Sequence, residues 1–483
     1  ALGNGVHIIY AGDFNVYNST EPAYQTLLAA GNGQAFDPIN TPGSWSGNNT
    51  FKSVHTQSPV ATGDTRYGGQ VAGGVDDRFD FQLVTNEFLD GEGLSYIGDR
   101  NYANDTTGGV VESYRAFGNN GTHVCCNSGI NTGTGASPLV LNALMNTTDH
   151  LPVVVDYQIP AVMQVTAAVI PPRLVKTATG PTASLSVANT VNVVAASGGD
   201  ELDYQVSASG SVTTNTGTTG VVNALAAAAA PTVRLTTATT GAKTGTINVN
   251  SSSQAVKNGS FTQNVNFAVV DPANASFSTV TDLNTLALDL GAALVGATSP
   301  MMNFSLANLV TTVGFTSALD LDSIVPSGAS SVLTTNLASF VNLAAGGANA
   351  FAAQLATTAA GVFSASYTLN LSDENIPGQT TQALTLELSG RVILGGDFNR
   401  DGFVDAADYT TWRDTLGTTV AAIGDGADGS LNGVIDAADY DVWASRFGAS
   451  AVVAANSVPE PGAILLLAVG LAAMWVAPTF GRD

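Results

Sequence analysis

Phe261-Thr262-Gln263-Asn264-Val265-Asn266-Phe267-Ala268-Val269 places Phe261, Val265, Phe267 and Val269 on one parity. A period of two is that of a half-buried β-strand, whose side chains alternate between core and solvent. Leu384, Leu386 and Leu388 repeat the pattern further along. Outward from these strands, residues from about 160 to 393 are short alternating stretches separated by Gly, Asn and Ser turns. Thr246-Ile247-Asn248-Val249 has a weak counterpart in Thr368-Leu369-Asn370-Leu371, 122 residues later. This spacing predicts two tandem β-sandwiches, residues 160–271 and 272–393. No clustered His, Cys or acidic constellation stands out in them, so a spacer or interaction role is expected. The Ala-rich stretch Ala224 to Ala230 reads as a loop or short helix.

The whole chain has 483 residues, 11% of them charged, and a formal net charge of −23. That length exceeds one core and predicts several domains. The sparse charge and the abundance of Ala, Thr, Ser, Val, Asn and Gly suit β-rich extracellular modules. An acidic surface disfavours nucleic-acid backbones and anionic membranes, and favours divalent cations. The two sandwiches resemble the immunoglobulin-like modules of bacterial surface proteins. The only cysteines are the neighbours Cys125 and Cys126, read as unpaired thiols because a bridge between neighbours closes a strained ring.

Upstream lie three short strings: Gly12-Asp13-Phe14-Asn15, Asp77-Arg78-Phe79-Asp80 and Thr148-Asp149-His150-Leu151-Pro152-Val153. In that order they resemble the last part of the endonuclease/exonuclease/phosphatase superfamily, whose fold is a two-layer α/β sandwich. The resemblance covers residues 1–158. It implies phosphodiester hydrolysis with Mg²⁺ or Mn²⁺ held by Asp13 and Asp149. It also implies that Asp13 orients the attacking water, Asn15 hydrogen-bonds the phosphate and His150 contacts it or serves as base or acid. Arg78 and Asp80 match an Arg-Ile-Asp-like element, with Phe79 for Ile. Either Asp77 or Asp80 is expected to support His150. The family's metal-binding Glu and second His belong upstream of the first string, and only twelve residues precede Asp13. A truncated domain with little activity alone is therefore expected. The substrate class stays open among nucleic acid, phospholipid and small phosphate esters. Fifteen acidic against five basic residues in 1–158, a balance of −10, disfavour a strong non-specific grip on DNA. Glu21 to Ala30 is expected to form a short helix capped by Thr20, and His123 to face solvent on a loop.

Residues 395–449 carry a duplicated pattern. Asp397, Asn399, Asp401, Asp405 and Asp408 fall at positions 1, 3, 5, 9 and 12 of an EF-hand-like loop, with Gly402 at position 6. Asp428, Ser430, Asn432, Asp436 and Asp439 repeat this 31 residues later, with Gly433 at position 6. Phe403 and Val434 would each offer a backbone carbonyl at position 7. Each loop runs into a helix, Ala406 to Leu416 and Ala437 to Phe447, with Tyr409, Trp412 and Leu416 or Tyr440, Trp443 and Phe447 on one face. The pattern resembles a type I dockerin and implies two bound Ca²⁺ and a cohesin-like partner. A calcium-stapled cap without a partner is the rival reading. Gly396-Asp397-Phe398-Asn399 repeats the first GDFN string, but acidic residues at two-residue steps mark it as a calcium loop.

Residues 457–483 begin with Val458-Pro459-Glu460-Pro461-Gly462, followed by the apolar run Ala463 to Ala477 and then Arg482. This resembles a PEP-CTERM sorting signal. It implies a C-terminal hydrophobic helix, processing by an exosortase and a secreted or cell-envelope protein. The combined expectation is a phosphoesterase of nuclease-like type followed by surface modules. Its rival is a non-catalytic calcium-binding scaffold with a remnant phosphatase-like domain.

Overall fold

A computed structural model describes residues 5–64, 71–98 and 113–450. The sorting-signal reading of 457–483 lies outside them. Among the described residues, no helix is long and apolar enough to cross a membrane. The chain is mostly β-sheet, with several sandwich-like sheets. It divides into two compact units that meet near residues 269–270, with a short excursion at 174–176.

The first unit opens with β1 (Ile9–Asp13) antiparallel to β2 (Asp80–Val84), and Asp13 faces Asp80 across the pair. Phe81, Leu83 and Val84 of β2 are buried, and Phe81 and Leu83 pack with Val16, Tyr24, Ala35 and Trp45. A second pair joins β3 (Tyr114–Ala116) to β4 (Val153–Val155). Between β1 and β2, α1 spans Pro22–Leu28, shorter than expected, and its N-cap is Glu21 rather than Thr20. The Thr20 hydroxyl turns back to Asn18 Oδ1, and the Glu21 carboxylate takes the Tyr17 and Asn18 amides. Pro22 sits in the first turn, where its missing N–H costs nothing. A helix that sequence reading did not anticipate, α2 (Pro138–Thr147), is capped by Ser137 and buries Leu141 and Met145, one turn apart. Its C-cap is Thr148, which places Asp149 and His150 shortly before the start of β4.

Two expectations are corrected here. Cys125 and Cys126 are joined as a disulfide, not left as thiols, with their Cα atoms 3.0 Å apart. His123 is buried, not solvent-facing, and its single ring N–H has the Val75 carbonyl, 3.0 Å from Nε2, or Asn119 Oδ1, 3.2 Å from Nδ1, as acceptor.

Downstream in this unit, strands Thr219–Val222, Leu202–Gly210, Gly241–Ser251 and Ser260–Val270 lie side by side in that order. A second sheet orders Val212–Thr216, Thr232–Leu235 and Thr182–Ser184. Val265, Phe267 and Val269 are buried while Asn264 and Asn266 are exposed, as period-two patterning requires. Residues 224–230 form a loop without helix. The second unit pairs Thr285–Leu294 in parallel with Thr381–Ile393, next to Gly361–Asp373 and Leu319–Gly328. A facing four-stranded sheet contains Met301–Asn308 and Ala348–Leu355. Leu306, Leu355, Leu369, Leu371 and Leu386 lie in their shared core.

Candidate functional site

Thr56 begins the local construction. Its hydroxyl oxygen accepts both the Phe79 and Asp80 amides at 3.1 Å, which fixes the entry to β2. The Leu151 amide donates to the Thr56 carbonyl at 2.7 Å, tying the His150 turn to the same residue. Thr148 closes that turn, its hydroxyl donating to the His150 carbonyl and accepting the His150 amide.

These ties bring three predicted residues together. His150 Nδ1 lies 2.7 Å from Asp80 Oδ2, and His150 Nε2 lies 3.9 Å from Asp13 Oδ2. The Gln57 side-chain nitrogen is 3.0 Å from His150 Nε2. An amide N–H only donates, so Nε2 accepts there and Nδ1 carries the proton it donates to Asp80. Asn15 has φ +51°, which Asn tolerates better than most residues, and its amide donates to Asp13 Oδ1 at 2.8 Å. Asp13 and Asn15 are exposed and Asp149 is half-buried. Gln57 was not anticipated, and no spacing in the sequence points to it.

Arg78 is not part of this group. Its fully buried guanidinium makes two hydrogen bonds to Asp37, at 2.8 and 3.0 Å, and lies 4.2 Å over the Phe81 ring. Burial disfavours its charge, but Asp37 outweighs that and holds Arg78 protonated. Asp77 points elsewhere too. Burial raises its carboxyl above the usual range despite a hydrogen bond with Ser46, and Asp80 is the acid that meets His150. Beside it, burial and the Asp77 charge push Asp76 up to about 7.

The two acidic loops form a matched pair. Asp405 and Asp436 cap α3 (Ala406–Thr415) and α4 (Ala437–Arg446), each in a capping box closed by Asp408 or Asp439. Asp397 Oδ2 accepts the Gly402 amide and Asp428 Oδ2 the Gly433 amide, both at 3.0 Å. Gly402 and Gly433 have φ +89° and +85°, the left-handed turn that position 6 demands. Trp412 Nε1 donates to the Asp436 carbonyl and Trp443 Nε1 to the Asp405 carbonyl, both at 2.8 Å. Asp401, Asn399, Asn432 and Ser430 line the loops, with the Phe403 and Val434 carbonyls at position 7.

The donor set is all oxygen, which suits Ca²⁺. Asp397 Oδ1 and Ser430 Oγ are buried without a hydrogen-bond partner, so a cation would satisfy them. Burial, then Asp408 and Asp401, raises the Asp397 carboxyl. At the first site, Asp13 is a hard oxygen donor of the kind that suits Mg²⁺ or Mn²⁺. Two groups of three His, Cys or carboxylate ligand atoms lie within 4.8 Å of one another among the described residues: His55, His123 and Cys125, and Glu92, Asp200 and Glu201. Neither includes Asp13, Asp149 or a calcium-loop carboxylate.

No family model matches the chain, and no curated protein matches it. Solved structures that align include a protein of unknown function from Porphyromonas gingivalis W83, 14% identical over 47% of this chain and 99% of that one, TM-score 0.19. The fibronectin(III)-like modules of Clostridium thermocellum CbhA align at 9% identity over 48% and 94%, TM-score 0.21. Mouse cadherin-23 EC22-24 aligns at 10% over 48% and 67%, TM-score 0.24. Likeness at these TM-scores carries no functional argument.

Proposed function

We propose that residues 9–157 carry one side of a metal-dependent phosphodiester hydrolase site of the endonuclease/exonuclease/phosphatase kind. In this reading it is joined to two immunoglobulin-like modules and a dockerin-like calcium pair, in a protein secreted or held at the cell envelope. The observation that carries the reading is His150 held by Asp80 at Nδ1 and by Gln57 at Nε2, with the Asp13 carboxylate 3.9 Å from Nε2. Asp80 fixes the tautomer and supports a positive charge on the ring. His150 then presents Nε2, next to Asp13, where it takes a proton or contacts a phosphoryl oxygen. The Asn15 side-chain amide is suited to hydrogen-bond a phosphate oxygen, its backbone N–H being taken by Asp13 Oδ1. A bound Mg²⁺ or Mn²⁺, held by Asp13 and Asp149, would neutralise phosphoryl charge.

The chain by itself is expected to turn over slowly, since neither Asp13 nor Asp149 belongs to a group of three converging His, Cys or carboxylate ligands among the described residues. The test is Mg²⁺-dependent hydrolysis of bis(p-nitrophenyl) phosphate by this chain. Near-background rates are expected. Robust turnover that His150→Ala abolishes would overturn the slow-turnover claim.

The same missing ligand favours a second reading, a calcium-binding surface protein with a remnant hydrolase domain. Under it, the protein translated from the whole gene would also show no Mg²⁺-dependent hydrolysis. A cohesin-like partner for α3 and α4 and an exosortase for the tail belong to both readings.

A further inference from the structure

Asp200 lies just before strand Leu202–Gly210 and is fully buried. Its Oδ1 accepts a hydrogen bond from Gln158 Nε2 at 3.0 Å, and its Oδ2 has no donor in hydrogen-bond geometry. Glu92 comes from the Asp90–Gly93 turn and Glu201 from the start of the sandwich. One ligand oxygen from each of Glu92, Asp200 and Glu201 lies within 4.8 Å of the others. A second orphan oxygen borders the turn. Gln254 Oε1 is buried without a partner, while Gln254 Nε2 donates to Asp90 Oδ2 at 3.1 Å. Gly93 has φ +60°, and a Cβ there would come within 3.0 Å of Gln254, so the turn approaches closely because it is Gly.

The charges acting on this group are all negative. Burial and then Glu201, Asp203 and Asp90 raise the Glu92 carboxyl. Burial, opposed in part by the Gly93 and Glu201 amides, lifts Asp200 to about 6, and the Glu201 and Glu92 charges add to the rise. Three converging carboxylates, one fully buried with an unsatisfied oxygen, are costly without a counter-charge.

We propose that Glu92, Asp200 and Glu201 form a divalent-cation site, selective for Ca²⁺, that clamps the Asp90–Gly93 turn to the first sandwich. The ligands are all hard oxygens, which disfavours Zn²⁺. Their irregular convergence from a turn and a strand end suits the flexible coordination of Ca²⁺ better than the strict octahedron of Mg²⁺. The site is independent of the phosphoester reading and separate from the two calcium loops.

The test counts Ca²⁺ bound by the full chain in calorimetric titration, with melting followed in Ca²⁺ and in chelator. Glu92→Gln/Glu201→Gln is expected to bind one equivalent fewer than wild type. It should melt lower than wild type in Ca²⁺ and higher in chelator, because two repelling charges are gone. Asp397→Asn/Asp428→Asn should retain that equivalent. Glu92→Gln alone, on a half-buried turn, is the milder variant and should show the same loss. Unchanged stoichiometry in both Glu variants would overturn the site. So would an equal drop in melting temperature with and without Ca²⁺, the mark of a purely structural role.

Discussion

His55 and His123 are buried side chains that share the Val75 carbonyl as a hydrogen-bond partner. Burial lowers each to about 4, so both are neutral in the fold at pH 6.5. Between pH 6.5 and 4 the unfolded chain takes up protons that the native state refuses. Their contribution to stability is therefore intact above about 6.5 and is lost as pH falls toward 4, on the order of 3 kcal/mol each. Imidazole NMR signals of both should hold their neutral positions until near pH 4, and ordinary titration near 6.5 would contradict this. Arg78 and Asp37 form the other buried polar pair. Asp37→Ala should destabilise the fold by about 3–5 kcal/mol in denaturant unfolding, since it strands a buried guanidinium. The Asp13, Asp80 and His150 strings were legible because each is local and chemically distinctive. The role of Arg78 was not legible, because its partner lies 41 residues away and motif matching carries no information about burial.

At the scale of elements, the paired acidic loops and the helices that follow them were legible from spacing, because one 31-residue offset relates the two copies. Strand alternation around Val265 and Leu386 was equally readable, since burial on one face writes a period of two into the chain. Helix α2 escaped because Pro138 to Thr147 has a short apolar stripe and its cap, Ser137, sits in a polar loop. Asp405 and Asp436 act as helix caps as well as ligand positions. Asp405→Ala should cost about 1 kcal/mol of helix stability even in chelator, measured by unfolding of the calcium-free chain. An equal stability of the two proteins in chelator would contradict the capping role.

For the whole molecule, calcium is expected to stabilise part of the chain and leave much of it unchanged. Trp412 and Trp443, two of the four tryptophans, sit at the loop pair, so part of the tryptophan emission reports there, alongside that of Trp45 in the first unit's core. Chelation should lower the emission-detected transition, while the sandwich strands, followed by far-ultraviolet circular dichroism, retain most of their signal. Loss of both signals together would contradict separate calcium dependence. The alternation of strands and turns made the mostly β character readable. The acidic group at Glu92, Asp200 and Glu201 was not, because Glu92 is distant in sequence from the neighbours Asp200 and Glu201 and meets them only after folding. The central claim is the chemistry at His150. Its most direct test is Mg²⁺-dependent phosphodiester hydrolysis by the protein translated from the whole gene, as wild type and as His150→Ala. A rate that falls by about 10²–10⁴-fold in the variant is predicted. No Mg²⁺-dependent hydrolysis in the wild type, or equal rates in both, would contradict the account.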